Sequence, residues 1–153
     1  MSDLLHRYLD PRAILTGVSV SDSAGAIDLL AGRLEEIGRV HSSWGAAAQA
    51  REAVMPTGLP LGELNAAIPH TDPDHVAEAA IGLAILPEPV SFRSMDDPEE
   101  ELDVRIVFAL AIRDKTEQIP LLQAVIGTLS DGDRLARLVS AGNAEDVLAA
   151  LRS

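Results

Sequence analysis

Apolar residues recur along this chain with two periods. From Val104 to Ile112 both alternating sets are apolar, with Val104, Ile106, Phe108, Leu110 and Ile112 on one face and Val107, Ala109 and Ala111 on the other. A strand that is apolar on both faces predicts a central place in a sheet covered by helices on both sides. Ile14–Val20 and Ala80–Leu86 read as further strands. Pro87 and Pro89 are expected to end the second of these, leaving Val90–Phe92 as an edge piece. Ala66-Ala67-Ile68 reads as the end of a short buried strand.

The helical period marks the rest. Ile27, Leu30, Leu34 and Ile37 fall on one face, after Ser21, Asp22 and Ser23 as caps and before Gly38 as a stop. Val40 sits in the link that follows. A second helix is expected from Ser42 or Ser43, carrying Trp44, an alanine-rich face and Arg51, and ending before Pro56. Pro56–Gly62 is then a loop whose glycines can supply positive φ. Toward the end, Ile119, Leu122, Val125, Ile126 and Leu129 predict one helical face, with Pro120 in the first turn. A helix over about Asp133–Val139 follows, and a last one capped by Asn143 buries Val147, Leu148 and Leu151. Strands and helices interleave early and helices cluster late. The pattern predicts an α/β fold, a three-layer α/β/α domain with a mixed central sheet and helices on both faces, as one domain over 1–153.

Composition narrows the function. Aromatic residues are only 3% of a chain that is 47% apolar, so the core must be built from Ala, Leu, Ile and Val. There is no cysteine, which excludes disulfides, thiolate metal sites and a cysteine nucleophile. A net charge of −12 disfavours nucleic acid and anionic lipid. No run is long and apolar enough to insert in a bilayer, and no signal-peptide pattern opens the sequence, so a cytoplasmic location is expected.

The stretch Ala66–Val76 concentrates the candidate chemistry. Two prolines, two aspartates and two histidines follow the apolar Ala66-Ala67-Ile68. Pro69 fixes its own φ and pushes Ile68 toward extended geometry. His70 therefore stands where a strand stops and a loop begins, a common place for a reactive side chain. An imidazole there can act as a nucleophile, one nitrogen attacking while the other is held by a hydrogen bond; otherwise it is an ordinary surface histidine. The run His70-Thr71-Asp72-Pro73-Asp74-His75 also resembles the H-x-H-x-D-H metal pattern of metallo-β-lactamase-like hydrolases. Asp72, however, stands where that pattern has its second histidine, and no histidine follows His75. No metal site is expected, and the aspartates read as a turn or a helix cap. Arg51 could clamp a phosphoryl group, or be a solvated helix end. Thr57, Gly58 and Gly62 could form a backbone nest for an anion, although no nucleotide-binding glycine motif is present.

Arg51-Glu52, then Met55-Pro56-Thr57-Gly58-Leu59, then Ala67-Ile68-Pro69-His70 resembles, in combination, the signature of enzyme IIA proteins of the bacterial sugar phosphotransferase system. The branch is the fructose–mannitol–nitrogen type, and His70-Thr71-Asp72-x-x-His75-Val76 is most similar to its galactitol-like members. The resemblance covers nearly the whole chain. It implies a cytoplasmic phosphotransferase without cofactor or metal. Its histidine takes a phosphoryl group from the phosphocarrier HPr and passes it to a IIB component, and a membrane IIC component then acts on the sugar. The family histidine corresponds to His70 and the family arginine to Arg51. Many members carry a second active-site histidine at the start of the helix after the central strand. Here Gln118 stands in that region, and His75 is the other candidate for a second partner. Thr71, Thr57 and Gly58 are the candidate phosphate-binding groups. The same domain could instead serve a regulatory, nitrogen-type role through phosphorylation-dependent protein binding.

Overall fold

A computed structural model describes residues 3–152. Its elements are α1 (Asp3–Tyr8), β1 (Leu9–Thr16), α2 (Ser23–Glu36), α3 (Trp44–Val54), β2 (Gly58–Leu59) and β3 (Asn65–Ala67), then one 3-10 turn (Pro73–His75), β4 (Ala80–Arg93), β5 (Glu101–Ala111), α4 (Lys115–Leu129), α5 (Gly132–Ser140) and α6 (Ala144–Arg152). The strands form one five-stranded sheet in the order β1-β4-β5-β3-β2. β1 runs parallel to β4 and β3 parallel to β5, while β4–β5 and β2–β3 are antiparallel, so the sheet is mixed. On one face α2 and α3 bury Ile27, Leu30, Leu34 and Trp44; on the other α1 and α4–α6 bury Leu5, Val125, Leu129, Leu138 and Leu151. This is the three-layer α/β/α architecture expected from the pattern.

β5 is central as expected, but its two faces are not continuous. Ile106, Phe108, Leu110 and Ile112 pack with α4–α6, whereas Val104 joins Leu102, Val107, Ala109 and Ala111 on the α2–α3 side. The phase slips because Ile85 pairs with Ile106 while Val90 pairs with Val104, so residues 86–89 of β4 face Arg105 alone. This wide bulge carries Pro87 and Pro89. They therefore interrupt β4 without ending it, since a bulge asks them for no ladder N–H. The Arg105 Nε donates to the Leu86 carbonyl at 2.9 Å and closes the bulge.

Two other expectations shift. The first strand starts at Leu9, ahead of the expected Ile14, and a short helix precedes it. Asp10-Pro11-Arg12 sits in this edge strand, where a proline is tolerated. Asp10 is buried there because Arg12 and Arg39 both bond its carboxylate; the Arg12 bonds in particular hold its pKa below the ordinary value. In α4 the buried residues are Leu121, Val125, Thr128 and Leu129, while Ile119 is 67% and Ile126 37% exposed. Asp114 caps the Thr116 N–H at 2.9 Å, which puts Pro120 in the second turn rather than the first. The apolar positions of this sequence surround more of the helix than one face. Docking on α1, where the Tyr8 hydroxyl donates to Glu117, decides which of them are covered.

Candidate functional site

The site grows from β3 and its continuation. Ile68 is buried, and its N–H points between the Thr57 carbonyl and hydroxyl oxygens, 3.3 Å from each. Pro69 has no N–H to satisfy, and its carbonyl accepts from Leu110 N–H at 3.0 Å. The chain thus stays beside β5 for one residue more and delivers His70 opposite Leu110. The imidazole then folds back, with Nδ1 2.8 Å from the Ile68 carbonyl oxygen. A carbonyl can only accept, so Nδ1 carries the proton and Nε2 carries the lone pair. Burial pushes the His70 pKa below its ordinary 6.5, and the Arg51 charge adds to this. The bond to Ile68 and the Asp72 carboxylate act in the opposite direction. The result is an imidazole that stays neutral to lower pH than a free one, with one nitrogen held and the other available.

Helix α3 supplies two adjacent residues to this loop. Arg51, in its last turn, donates from Nη2 to Asp72 Oδ1 at 2.5 Å, beyond His70 in the chain. Glu52 reaches the other side. Its Oε1 accepts from the Thr57 hydroxyl at 2.7 Å and its Oε2 from the Thr57 N–H at 2.8 Å. Gly58 follows with ordinary negative-side φ, unlike Gly62 at φ +107°. Gly58 is needed for space: a Cβ there would lie 2.5 Å from the Arg93 carbonyl oxygen.

Thr71 is buried beside His70, and its hydroxyl donates to the Asp72 carbonyl at 2.8 Å. Thr57 and Gly58 lie under Ile68, with the Thr57 hydroxyl proton given to Glu52. His75 turns away. Its Nδ1 meets the Ser43 hydroxyl at 2.8 Å at the start of α3. Gln118 is half-buried in the opening turns of α4, the helix that follows the end of β5 where His70 is held. Among the described residues no hydrogen bond joins either His75 or Gln118 to His70, and no three His, Cys, Asp or Glu side chains converge in a way that could hold a metal ion. Asp72 is no side-chain cap for the turn it precedes; its carboxylate is spent on Arg51.

Two contributions escaped the sequence reading, those of Glu52 and Asp72. Glu52 had a local signal, an acid in an alanine-rich helix with a Thr-Gly loop five residues on. Asp72 had none, since its pairing with Arg51 spans 21 residues.

The site is thus a half-buried neutral imidazole with one nitrogen free of hydrogen bonds among the described residues, beside an arginine and on a sheet-anchored loop. The family model described as "Phosphoenolpyruvate-dependent sugar phosphotransferase system, EIIA 2" matches residues 7–153, and the chain belongs to this family. It is similar to the galactitol-specific EIIA component of the phosphotransferase system of Escherichia coli K12, 31% identical over 127 residues, which are 83% of this chain and 84% of that protein. Its fold matches the crystal structure of IIA mannitol from Escherichia coli with a TM-score of 0.78, at 27% identity, covering 94% of this chain and 98% of that one. The complex of enzyme IIA mannitol with phosphorylated enzyme IIB mannitol, also from Escherichia coli, matches with a TM-score of 0.78, at 25% identity, over 94% of this chain and 96% of that one. The protein is therefore a phosphotransferase component, a phosphoryl carrier of a sugar or polyol phosphotransferase system. No helix among the described residues is long and apolar enough to cross a membrane.

Proposed function

We propose that His70 is the phosphoryl acceptor, that it reacts through Nε2, and that it takes the group from the phosphohistidine of HPr in the cytoplasm and passes it to a IIB component, with a membrane IIC component downstream. The observation that carries this reading is the bond from His70 Nδ1 to the Ile68 carbonyl, which leaves Nε2 as the nucleophile. In the forward step the Nε2 lone pair forms the new N–P bond. The donor's N–P bond breaks and its electron pair returns to the donor imidazole. The Nδ1 proton stays in place, so phospho-His70 is an imidazolium whose remaining N–H is already bonded to Ile68. Transfer onward reverses this, as the acceptor's nucleophile attacks phosphorus and Nε2 regains its pair.

Phosphoryl transfer asks the protein for positioning and charge stabilisation. The group brings about −1.5 to −2 charges, by analogy with phosphorylated hydroxyls, to a chain already at −12. Arg51 is the donor placed to meet it. One of its terminal amino groups serves Asp72, and the remaining guanidinium N–H groups stay available for phosphoryl oxygens. Gln118 is the second polar contact, because α4 grows from the sheet end that holds His70. His75 is committed to Ser43. The likeness to a galactitol-specific relative supports a polyol or sugar system.

The test is incubation with enzyme I, HPr and phosphoenolpyruvate, followed by mass measurement and peptide mapping. One phosphoryl group at His70, stable in base and labile in acid, is expected, with discharge on adding a IIB protein. Phosphorylation elsewhere would remove the assignment. Phosphorylation without any IIB acceptor would favour a regulatory role.

A further inference from the structure

We propose that Glu52 is a positioning residue of the phosphoryl site, its carboxylate gripping Thr57 so that the backbone of Ile68 is held where its carbonyl selects the Nδ1–H tautomer of His70. The catalytic consequence rests on His70 being the acceptor; the effect on the tautomer does not.

The hydrogen bonds form one directed series. His70 Nδ1–H donates to the Ile68 carbonyl at 2.8 Å. Ile68 N–H points to Thr57 Oγ1 and the Thr57 carbonyl, both at 3.3 Å. The Thr57 hydroxyl donates to Glu52 Oε1 at 2.7 Å, and the Thr57 N–H to Oε2 at 2.8 Å. Every donor points toward the carboxylate. The N–H and the carbonyl of Ile68 belong to different peptide groups joined through Cα, so this link transmits position rather than electron density.

The chemistry selects a carboxylate for this place. Thr57 presents two donors, the N–H and the hydroxyl, and only a group with two acceptor oxygens satisfies both. A glutamine would turn an amide donor toward one of them. With its proton committed to Glu52, the Thr57 hydroxyl must offer a lone pair to Ile68. Glu52 is kept there at a cost: burial raises its pKa, the Thr57 bonds only partly oppose this, and none of the described ion pairs includes it. The folded protein therefore binds this proton more tightly than the unfolded chain does. Stability falls as pH rises from the unfolded value toward the raised one, and above it the full cost of the buried charge remains. A residue retained purely for stability would not be a buried carboxylate without a cation. With Arg51, which holds Asp72, the two neighbours on α3 grip the chain on both sides of His70.

The experiment compares wild type with Glu52→Gln, Thr57→Val and Thr57→Ser. It uses ¹⁵N NMR of the His70 ring for the tautomer, denaturant unfolding for stability, and steady-state transfer from phospho-HPr. In Glu52→Gln and Thr57→Val the ring resonances should move toward a mixture of tautomers. The maximal transfer rate should fall by roughly ten-fold, in line with the loss of a charge-assisted hydrogen bond, while the KM for phospho-HPr stays unchanged. Thr57→Ser, which keeps the hydroxyl, should restore both. Glu52→Gln should be no less stable than wild type near neutral pH. A wild-type tautomer in both Glu52→Gln and Thr57→Val would overturn the proposal, as would a rate loss that only follows lost stability. If wild type itself takes no phosphoryl group at His70, the acceptor assignment fails while the NMR arm still decides the role of Glu52.

Discussion

Residues 68–72 and 73–76 are consecutive, and each half holds a histidine next to or near an aspartate, yet the structure uses them in opposite ways. In the first half the backbone holds the ring: Ile68 is tied to Thr57, Pro69 to Leu110, and the Ile68 carbonyl grips His70 Nδ1. In the second half the ring helps hold the backbone. His75 bonds Ser43 at the start of α3, its carbonyl accepts from His41 N–H at 2.9 Å, and Val76 carries the Arg113 guanidinium on its carbonyl at 2.7 Å. Composition does not separate the two histidines. The difference is which partner is rigid. For His70 the scaffold spends hydrogen bonds on orienting the ring and leaves one nitrogen free, the arrangement the proposed role of a reagent requires. The His75 ring is a strut, its own hydrogen bond joining two segments.

The largest effect that could break this contrast is His70→Ala. It should abolish phosphoryl uptake, with stability changed by only ~1 kcal/mol because the ring is half-buried in a loop; mass spectrometry after treatment with phospho-HPr checks this. Arg51→Ala should come next. Charge-assisted hydrogen bonds contribute about 1.5–3 kcal/mol, so transfer should slow by roughly ten-fold or more in rapid-quench kinetics, and a wild-type rate would free Arg51 from the role. Gln118→Ala should slow transfer less than Arg51→Ala does, because its amide donor brings no charge of its own to the phosphoryl oxygens.

The pH dependence sharpens the comparison further. Burial lowers the His70 pKa below 6.5, and in the proposed transfer the neutral ring is the nucleophile. Uptake should therefore persist as pH falls past 6.5 and decline only as it passes the lowered value. An NMR titration of His70 at or above 6.5 would contradict this. The smallest effect belongs to His75→Ala. It should leave the transfer rate within about two-fold of wild type and cost ~1 kcal/mol of stability through the lost Ser43 bond. Equal losses in His70→Ala and His75→Ala would erase the distinction.

Elements with strong local signals were legible in the chain. Asp22 caps α2 through the Gly25 N–H at 2.8 Å, Gly38 ends that helix region at φ +81°, and α3 begins after Ser43 as its residues suggest. Elements whose identity depends on neighbours were not. Asp10 is buried inside a strand only because Arg12 and Arg39, the latter 29 positions away, bond its carboxylate. The prolines of β4 read as terminators until β5 supplies the pairing that carries the strand past them. Ile119 and Ile126 read as core in a helix whose buried side is set by docking against α1 and the sheet.

The same division runs through the site. Pattern and motif alone determined a three-layer domain with a central apolar strand, a histidine at a strand end, and an arginine and glutamate closing a helix before a Thr-Gly loop. These are properties of short stretches, where apolar period, caps and prolines constrain a few consecutive residues. Only the tertiary structure decided that Arg51 meets Asp72, that Glu52 meets Thr57, that Thr57 meets Ile68, and that His75 meets Ser43. Each of those bonds joins side chains whose proximity follows from packing α3 and β3 around one sheet. A hydrogen bond is decided by distances and directions of a few ångströms, which sequence spacing fixes within an element and packing alone fixes between elements.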